Sequence, residues 1–195
     1  MAMRFDAVII GGGYAGCTAA EALLGAGLKV CVVSEGLSLA VSGSKAPYSR
    51  LASIQKRGAT VLRGDRALSA ILEDGRVACV KTRNLGPETM LEADFFILAS
   101  GKFFSRGLLS DKEHIWEPVF GADVEYGTDR TSWYDDDFSA SQPFMGFGVK
   151  TDSSARVFVG GKALANLYAA GDIVAKDCKQ VNVNKLIEDY AGRDK

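Results

Sequence analysis

The chain has 195 residues, 47% hydrophobic and 24% charged, which fits one ordinary globular domain or a tight pair and excludes a disordered chain. Its 23 basic and 24 acidic residues leave a net charge of −1 with no long run of one sign, so no broad footprint for nucleic acid or an anionic membrane exists. No apolar run approaches the ~18 residues that cross a bilayer, and the first residues lack the pattern of an export signal. The expectation is a cytoplasmic protein that meets a membrane only through a partner.

Phe5 to Ile10 are apolar and bounded by glycine, the pattern of a strand buried on both faces. Residues 14 to 26 then place Ala15, Ala19, Ala22, Leu23 and Ala26 on one helical face, small enough to pack closely on a sheet, with Gly27 as the stop. Leu28 to Ser34 form a second apolar strand and complete a βαβ unit with a right-handed crossover. A polar loop, "EGLSLAVSGSKAP", leads into a short helix, "YSRLASIQKRG", and a third strand, "ATVLRG". Residues 66 to 83 contain two strand-like runs around Asp74-Gly75, a strong hairpin signal. "MLEADFFILASG" is a further buried strand ending at Ser100-Gly101, and residues 105 to 145 are irregular and rich in aromatics. "FGVKTD" and "ARVFVGG" are expected to form a second hairpin, "LANLYAAGD" a last buried strand stopping at Gly171-Asp172, and Val181 to Ala191 a short helix.

Gly11, Gly13 and Gly16 stand in GxGxxG spacing between the first strand and the first helix. The first glycine permits the turn, the second lets the backbone approach a pyrophosphate, and the third lets helix and strand lie close. Backbone N–H groups at the helix start, Tyr14 and Ala15 included, then face the phosphates. A complete dinucleotide fingerprint also has an acid at the end of the second strand, bonded to the adenosine ribose. That place falls at Ser34, with Glu35 one residue later, and strand alternation would point the two in opposite directions. Three readings stay open: the strand end bends Glu35 inward, Ser34 makes a weaker ribose contact, or the cofactor has no adenosine.

The remaining chemistry-bearing residues point to no second site. Cys17, Cys31, Cys79 and Cys178 show no CxxC spacing, so a zinc site has no support and no metal is expected. His114 is the only histidine and lies in a polar loop, read as exposed and structural. Asp135, Asp136 and Asp137 lack the glycine and terminal glutamate of a calcium loop and are read as a solvated turn. Trp116, Trp133, Phe103, Phe104, Phe144 and Phe147 have no basic groove beside them and are read as core or a subunit interface. Lys102 is read as a surface lysine, although beside a redox-active ring its charge would stabilise a reduced, anionic form.

"NLYAAGD" resembles the end of the nucleotide domain in flavoproteins of the glutathione-reductase type, which implies that Gly171 and Asp172 meet a flavin ribityl chain. The stretches "RFDAVIIGGGYAG", "SGS" at 42 to 44, "GKFFSRGL", "EPVFGADV" and "QPFMGFGV" resemble more closely the B-type subunits of the bacterial anaerobic glycerol-3-phosphate dehydrogenases. The resemblance implies an α/β fold: a Rossmann-like FAD/NAD(P)-binding domain with a parallel sheet, helices and a small antiparallel crossover sheet, in one domain over residues 1 to 195. It also implies a flavin, FAD or FMN, placed beside Ser42, Gly43, Ser44 and Gly101. The implied function is that of a flavin-dependent oxidoreductase subunit taking electrons from glycerol 3-phosphate or a similar small molecule, with other dehydrogenase subunits as partners. Through them it would lie at the inner membrane. The segment "KAPYSRLASIQKRG" stands where members of that family carry a cap or substrate region, and the sequence after the last strand lacks their glycine-rich turn. A shortened chain of this kind also admits a non-catalytic interaction protein on a flavin-domain scaffold, or a protein related to flavin-dependent RNA modification. The neutral charge counts against the last.

Overall fold

The computed structural model describes residues 2–36 and 46–192. In chain order the strands and α-helices are β1 (Ala2–Ile10), α1 (Tyr14–Gly25), β2 (Val30–Ser34), α2 (Ala46–Lys56), β3 (Thr60–Arg63), β4 (Arg66–Glu73), β5 (Arg76–Arg83) and β6 (Thr89–Leu98). Then follow β7 (Leu109–Ser110), β8 (Ile115–Trp116), β9 (Val124–Glu125), β10 (Gly148–Val149), β11 (Arg156–Val159), β12 (Lys162–Ala169) and α3 (Val183–Ala191). The expected Ser42, Gly43 and Ser44 lie outside the described residues.

β12, β6, β1, β2 and β3 pair side by side as a parallel sheet, and β11 closes one edge antiparallel to β12. Period-two alternation divides the strand residues between two apolar layers. Ala7 and Ile9 of β1, with Val30, Val32, Phe95 and Ile97, pack under the helices against Ala19, Leu23, Ile54 and Leu186. Val8 and Ile10, with Cys31, Val33, Phe96 and Leu98, face the hairpin and the irregular segment through Val80, Leu108, Phe120 and Val157. Of the face expected for α1, Ala19 and Leu23 are buried, Ala15 and Ala22 half-buried and Ala26 exposed, and Gly16, Cys17 and Ala20 complete the buried side. A parallel sheet needs cover on both sides, which is why its strands read as continuous apolar runs.

β4 and β5 pair around Asp74-Gly75 as the sequence leads one to expect. β5 continues onto the first residues of β6, from Thr82↔Thr89 to Val80↔Leu91, while β12 occupies the last residues of that edge, from Leu167↔Phe96 to Ala169↔Leu98. The buried Asn166 bridges the two neighbours: its side chain accepts from the Val77 N–H at 2.8 Å and donates to the Val77 carbonyl at 3.0 Å.

The second expected hairpin is present as a short antiparallel bridge, Thr151↔Val157, with the Phe158 N–H donating to the Lys150 carbonyl and the Asp152 N–H to the Arg156 carbonyl, both at 3.0 Å. β10 itself pairs with β9 and lies against the segment after β12, where Ala175 N–H donates to the Val149 carbonyl at 3.1 Å. A Cβ on Gly148 would stand 2.4 Å from the Ala175 nitrogen, so only glycine permits this approach. A further hairpin that the sequence reading did not expect joins β11 to β12, turned at Gly160 and Gly161, whose φ values of 57° and 78° suit a two-residue turn that demands glycine.

Candidate functional site

The parallel strands end level. Ala99 N–H donates to the Ile10 carbonyl at 2.8 Å, Ala170 N–H to Leu98 at 2.9 Å and Gly11 N–H to Val33 at 2.9 Å. Beyond these carboxyl ends a cavity of about 570 Å3 opens, at the point where the chain leaves β1 with β2 on one side and β6 on the other. Such a switch point is where open α/β sheets hold ligands, and the volume falls within the usual range for a cofactor.

Gly11 has φ of 117°, and a Cβ there would stand 2.2 Å from the Ala99 carbonyl oxygen, so neither the turn nor the approach to β6 admits another residue. Gly16 is buried and does not line the cavity; a Cβ there would reach within 1.9 Å of the Gly11 carbonyl oxygen. Gly13 differs. It is the N-cap of α1, with nothing within 4 Å of a Cβ position, so its bareness is not required by the protein's own packing. It offers no side chain to cap α1, and the first turn has no acid. The first-turn N–H groups, which no helix satisfies internally, are left aimed at the cavity mouth beside Gly13, Tyr14 and Ala15. Tyr14 is 77% exposed, with the Arg50 guanidinium of α2 4.6 Å above its ring. Arg50 also pairs with Glu21 of α1 at 2.6 Å, pinning α2 beside the loop.

At the β2 end both Ser34 and Glu35 line the cavity. Glu35 lies past the last residue of β2, so strand alternation does not turn it away. Its carboxylate is 3.3 Å from the Arg106 guanidinium and 4.0 Å from that of Arg66. At the opposite end Gly171, with φ of 77°, crosses α1 so closely that a Cβ would stand 2.6 Å from that of Ala15. Its N–H donates to Gln180 at 3.0 Å, and the exposed Asp172 stands at the rim.

Ser100 and Gly101, from the end of β6, form the floor. Among the described residues the Ser100 hydroxyl is the buried side-chain polar atom without a hydrogen-bond partner. A buried unpaired hydroxyl costs about 1–3 kcal/mol, and here it borders a cavity that also holds uncapped amides and bare glycines. These features fit a nucleotide-type cofactor with phosphates and hydroxyls. Lys102 is half-buried and donates to the Met145 carbonyl; burial pushes its pKa down, and the nearby charge of Asp172 opposes that.

Sequence reasoning singled out the two strand ends but missed Asp65, Arg66, Phe104, Arg106 and Val119, which also line the cavity. "GKFFSRGL" and "EPVFGADV" were the signal for Arg106 and Val119. The second of these segments is organised by Glu117, 2% exposed, whose carboxylate accepts from the N–H groups of Val119, Phe120 and Ala122 at 2.9, 2.7 and 3.4 Å. Burial raises its pKa against the pull of those donors. Cys31 is pushed up to about 12, and Cys17 and Cys79 also rise, each chiefly by burial, so these thiols stay protonated hydrophobes. Among the described residues no group of acids, cysteines and histidine is arranged for a metal, and no helix is long and apolar enough to cross a membrane.

The B-type subunits of anaerobic glycerol-3-phosphate dehydrogenase are similar in sequence. That of Vibrio vulnificus strain CMCP6 is 40% identical over 123 residues, covering 62% of this chain and 28% of the relative. That of Actinobacillus succinogenes is 41% identical over 125 residues, covering 62% and 29%. The matched stretch therefore spans less than a third of the length of these relatives. Among solved structures, L-proline dehydrogenase from P. horikoshii superimposes on 89% of this chain and 51% of its own with a TM-score of 0.54 at 12% identity, a likeness of fold alone. The family model for an FAD binding domain matches residues 49–184, which take in β6, the Ser100–Arg106 loop and Gly171-Asp172, while the glycine loop precedes the matched span. With most of its length matched, the chain belongs to the FAD binding domain family.

Proposed function

We propose that this chain is the flavin-binding domain of an oxidoreductase subunit related to the B-type subunits of the anaerobic glycerol-3-phosphate dehydrogenases, working beside other subunits. The carrying observation is the cavity at the switch point, with uncapped amides at one side, an unpartnered hydroxyl on its floor and an acid at each end. Residues 1 to 195 act as one such domain, with only "KAPYSRLASIQKRG" standing in the sequence between the SGS segment and the β3 stretch "ATVLRG". Flavin supplies two-electron and one-electron redox chemistry when bound.

The protein's part is binding and orientation. The Tyr14 and Ala15 amides, reached across Gly11 and Gly13, hold the phosphates, with Gly16 letting α1 lie close enough to aim them; Ser34 and Glu35 hold the adenosine ribose. Gly101 admits the flavin side of the dinucleotide, and Gly171 and Asp172 hold its ribityl chain. Lys102, its charge disfavoured by burial, is a cation coupled to Asp172 at the ribityl end. Glycerol 3-phosphate or a similar small alcohol is the proposed electron donor, supported by the names of the relatives. Positioning a donor carbon within roughly 3–3.5 Å of a flavin and excluding water require a wall over the ring. A partner covering the exposed Phe104, Tyr134, Phe138 and Met145 would supply it.

The absorption spectrum of the purified chain tests binding: flavin bands at near-stoichiometric yield are expected, and a colourless protein that takes up neither FAD nor FMN refutes the reading. Steady-state assay with glycerol 3-phosphate and an artificial acceptor tests the partner. Negligible turnover by the chain alone is expected, and substantial turnover by a demonstrated monomer makes it a self-contained enzyme.

A further inference from the structure

The loop that leaves β6 has no part in the glycine fingerprint, yet Gly101, Phe104, Ser105 and Arg106 line the same cavity. Gly101 turns it with φ of 71°, and Gly107 returns it: the Gly107 N–H donates to the Lys102 carbonyl at 2.9 Å. A Cβ on Gly107 would stand 1.9 Å from the Gly101 carbonyl oxygen and 2.6 Å from the Ser100 hydroxyl, so the loop is folded back as tightly as the chain allows. Between these glycines Arg106 is held at φ of 60°, a left-handed geometry that costs a non-glycine residue stability. The outcome is that its guanidinium, rooted at the end of β6, reaches Glu35 at the end of β2, with β1 and the glycine loop between them.

Glu35 and Arg106 are both partly exposed, so the pair itself contributes little to stability. It does bring together an acceptor and a planar donor that suit two adjacent parts of one ligand. A carboxylate at the end of the second strand matches ribose hydroxyls, and a guanidinium matches a phosphate in bidentate fashion. Arg66, lining the same end at 4.0 Å from Glu35, adds a second positive charge there, and Asp65, which accepts from the Thr82 hydroxyl at 3.3 Å, offsets one of them.

We propose that Arg106 is a specificity-determining residue for the adenosine half of the dinucleotide. It grips the adenosine-side phosphate from across the cavity, opposite the α1 amides, with the Ser100 hydroxyl bonding the same diphosphate from the floor. Glu35 and Arg106 hold each other in the free protein and exchange partners on binding: Arg106 turns to the phosphate and Glu35 to the ribose hydroxyls. The site thereby favours FAD over FMN, although Ser34 stands where the acid of the fingerprint is expected. The inference rests on the flavin-binding reading above.

The test is equilibrium binding of FAD, FMN and ADP to the flavin-stripped full chain, by flavin fluorescence for the first two and calorimetry for ADP. Arg106→Gln is expected to weaken FAD and ADP at least tenfold and to leave FMN within about threefold. Arg106→Gly relieves the left-handed geometry and so folds at least as well; it is expected to show the same selective loss, which separates the lost contact from misfolding. Glu35→Gln is expected to weaken ADP as well. Equal losses for FAD and FMN, or unchanged FAD and ADP affinity in both Arg106 variants, would overturn the assignment while leaving flavin binding intact. Unchanged or raised ADP affinity in Glu35→Gln would overturn the exchange of partners. A wild-type chain that binds neither flavin overturns this inference and the flavin reading together.

Discussion

Replacing Gly13 by valine should separate binding from folding. Gly13 sits at φ −76° and ψ −168°, extended backbone open to any residue, with nothing within 4 Å of a Cβ position. The cost to the free protein is then the preference for glycine over valine at an N-cap, at most about 1 kcal/mol. Loss of glycine's freedom in the unfolded chain offsets roughly 0.4–1 kcal/mol of that. The melting temperature should move by less than about 4 °C. Binding should suffer far more, because the side chain fills the space through which a phosphate approaches the α1 amides. Two charge-assisted hydrogen bonds at about 1.5–3 kcal/mol each amount to roughly 3–6 kcal/mol, or about 10²–10⁴ in affinity. Gly16→Ala supplies the contrast: its Cβ would press on the Gly11 carbonyl oxygen at 1.9 Å, an overpacking worth about 1–3 kcal/mol that lowers the melting temperature of the free protein itself. Thermal unfolding of both stripped variants and flavin titration of Gly13→Val decide it. A Gly13→Val protein that melts with wild type and still binds flavin within tenfold of it refutes the loop as the phosphate site.

Asp172→Ala should weaken flavin about tenfold, near 1.4 kcal/mol, less than a buried charged hydrogen bond because Asp172 is exposed at the rim; unchanged affinity makes it a bystander. Glu117 gives a pH signature. Its folded pKa is raised, so its contribution is fully present below the unfolded value of about 4.3 and is lost as pH rises through the folded value. Denaturant titrations should therefore show stability falling with pH from about 4.3 upward, and Glu117→Gln should flatten that slope; a slope that survives the substitution assigns it elsewhere.

The βαβ start and the β6 and β12 strands were legible because parallel strands covered on both faces must be apolar along their whole length, as Val30 to Val33 and Phe95 to Leu98 are. Asp74-Gly75 announced its hairpin through turn chemistry alone. The meeting of "FGVKTD" with "ARVFVGG" was legible too, because the two lie close in sequence, whereas the Gly160-Gly161 turn, which carries the same signal as Asp74-Gly75, was passed over. The other neighbours of β10, β9 and the segment at Val174, are distant in sequence, and nothing local encodes them. The cavity divides in the same way. Gly11, Gly13 and Gly16 followed from their spacing between a strand and a helix, and Gly171-Asp172 from the resemblance of "NLYAAGD" to the end of a flavoprotein nucleotide domain. Arg66, at the start of β4, and Arg106, in the loop after β6, are distant in sequence and meet at Glu35 only through the tertiary arrangement of the strands.

Asn166 sits where one edge of β6 passes from β5 to β12, and its side chain holds both the N–H and the carbonyl of Val77. β12 cannot slide back along β6 without running into the hairpin, nor forward without breaking that bidentate hold. The junction is a register stop, and it acts as a ruler. It fixes how far Gly171-Asp172 projects beyond the level at which Ile10 releases the chain into the glycine loop. The span between the two ends of the cavity is thereby set by strand pairing some distance below it. Changes to the loops can retune the chemistry of the site while the length of molecule it accepts stays constant.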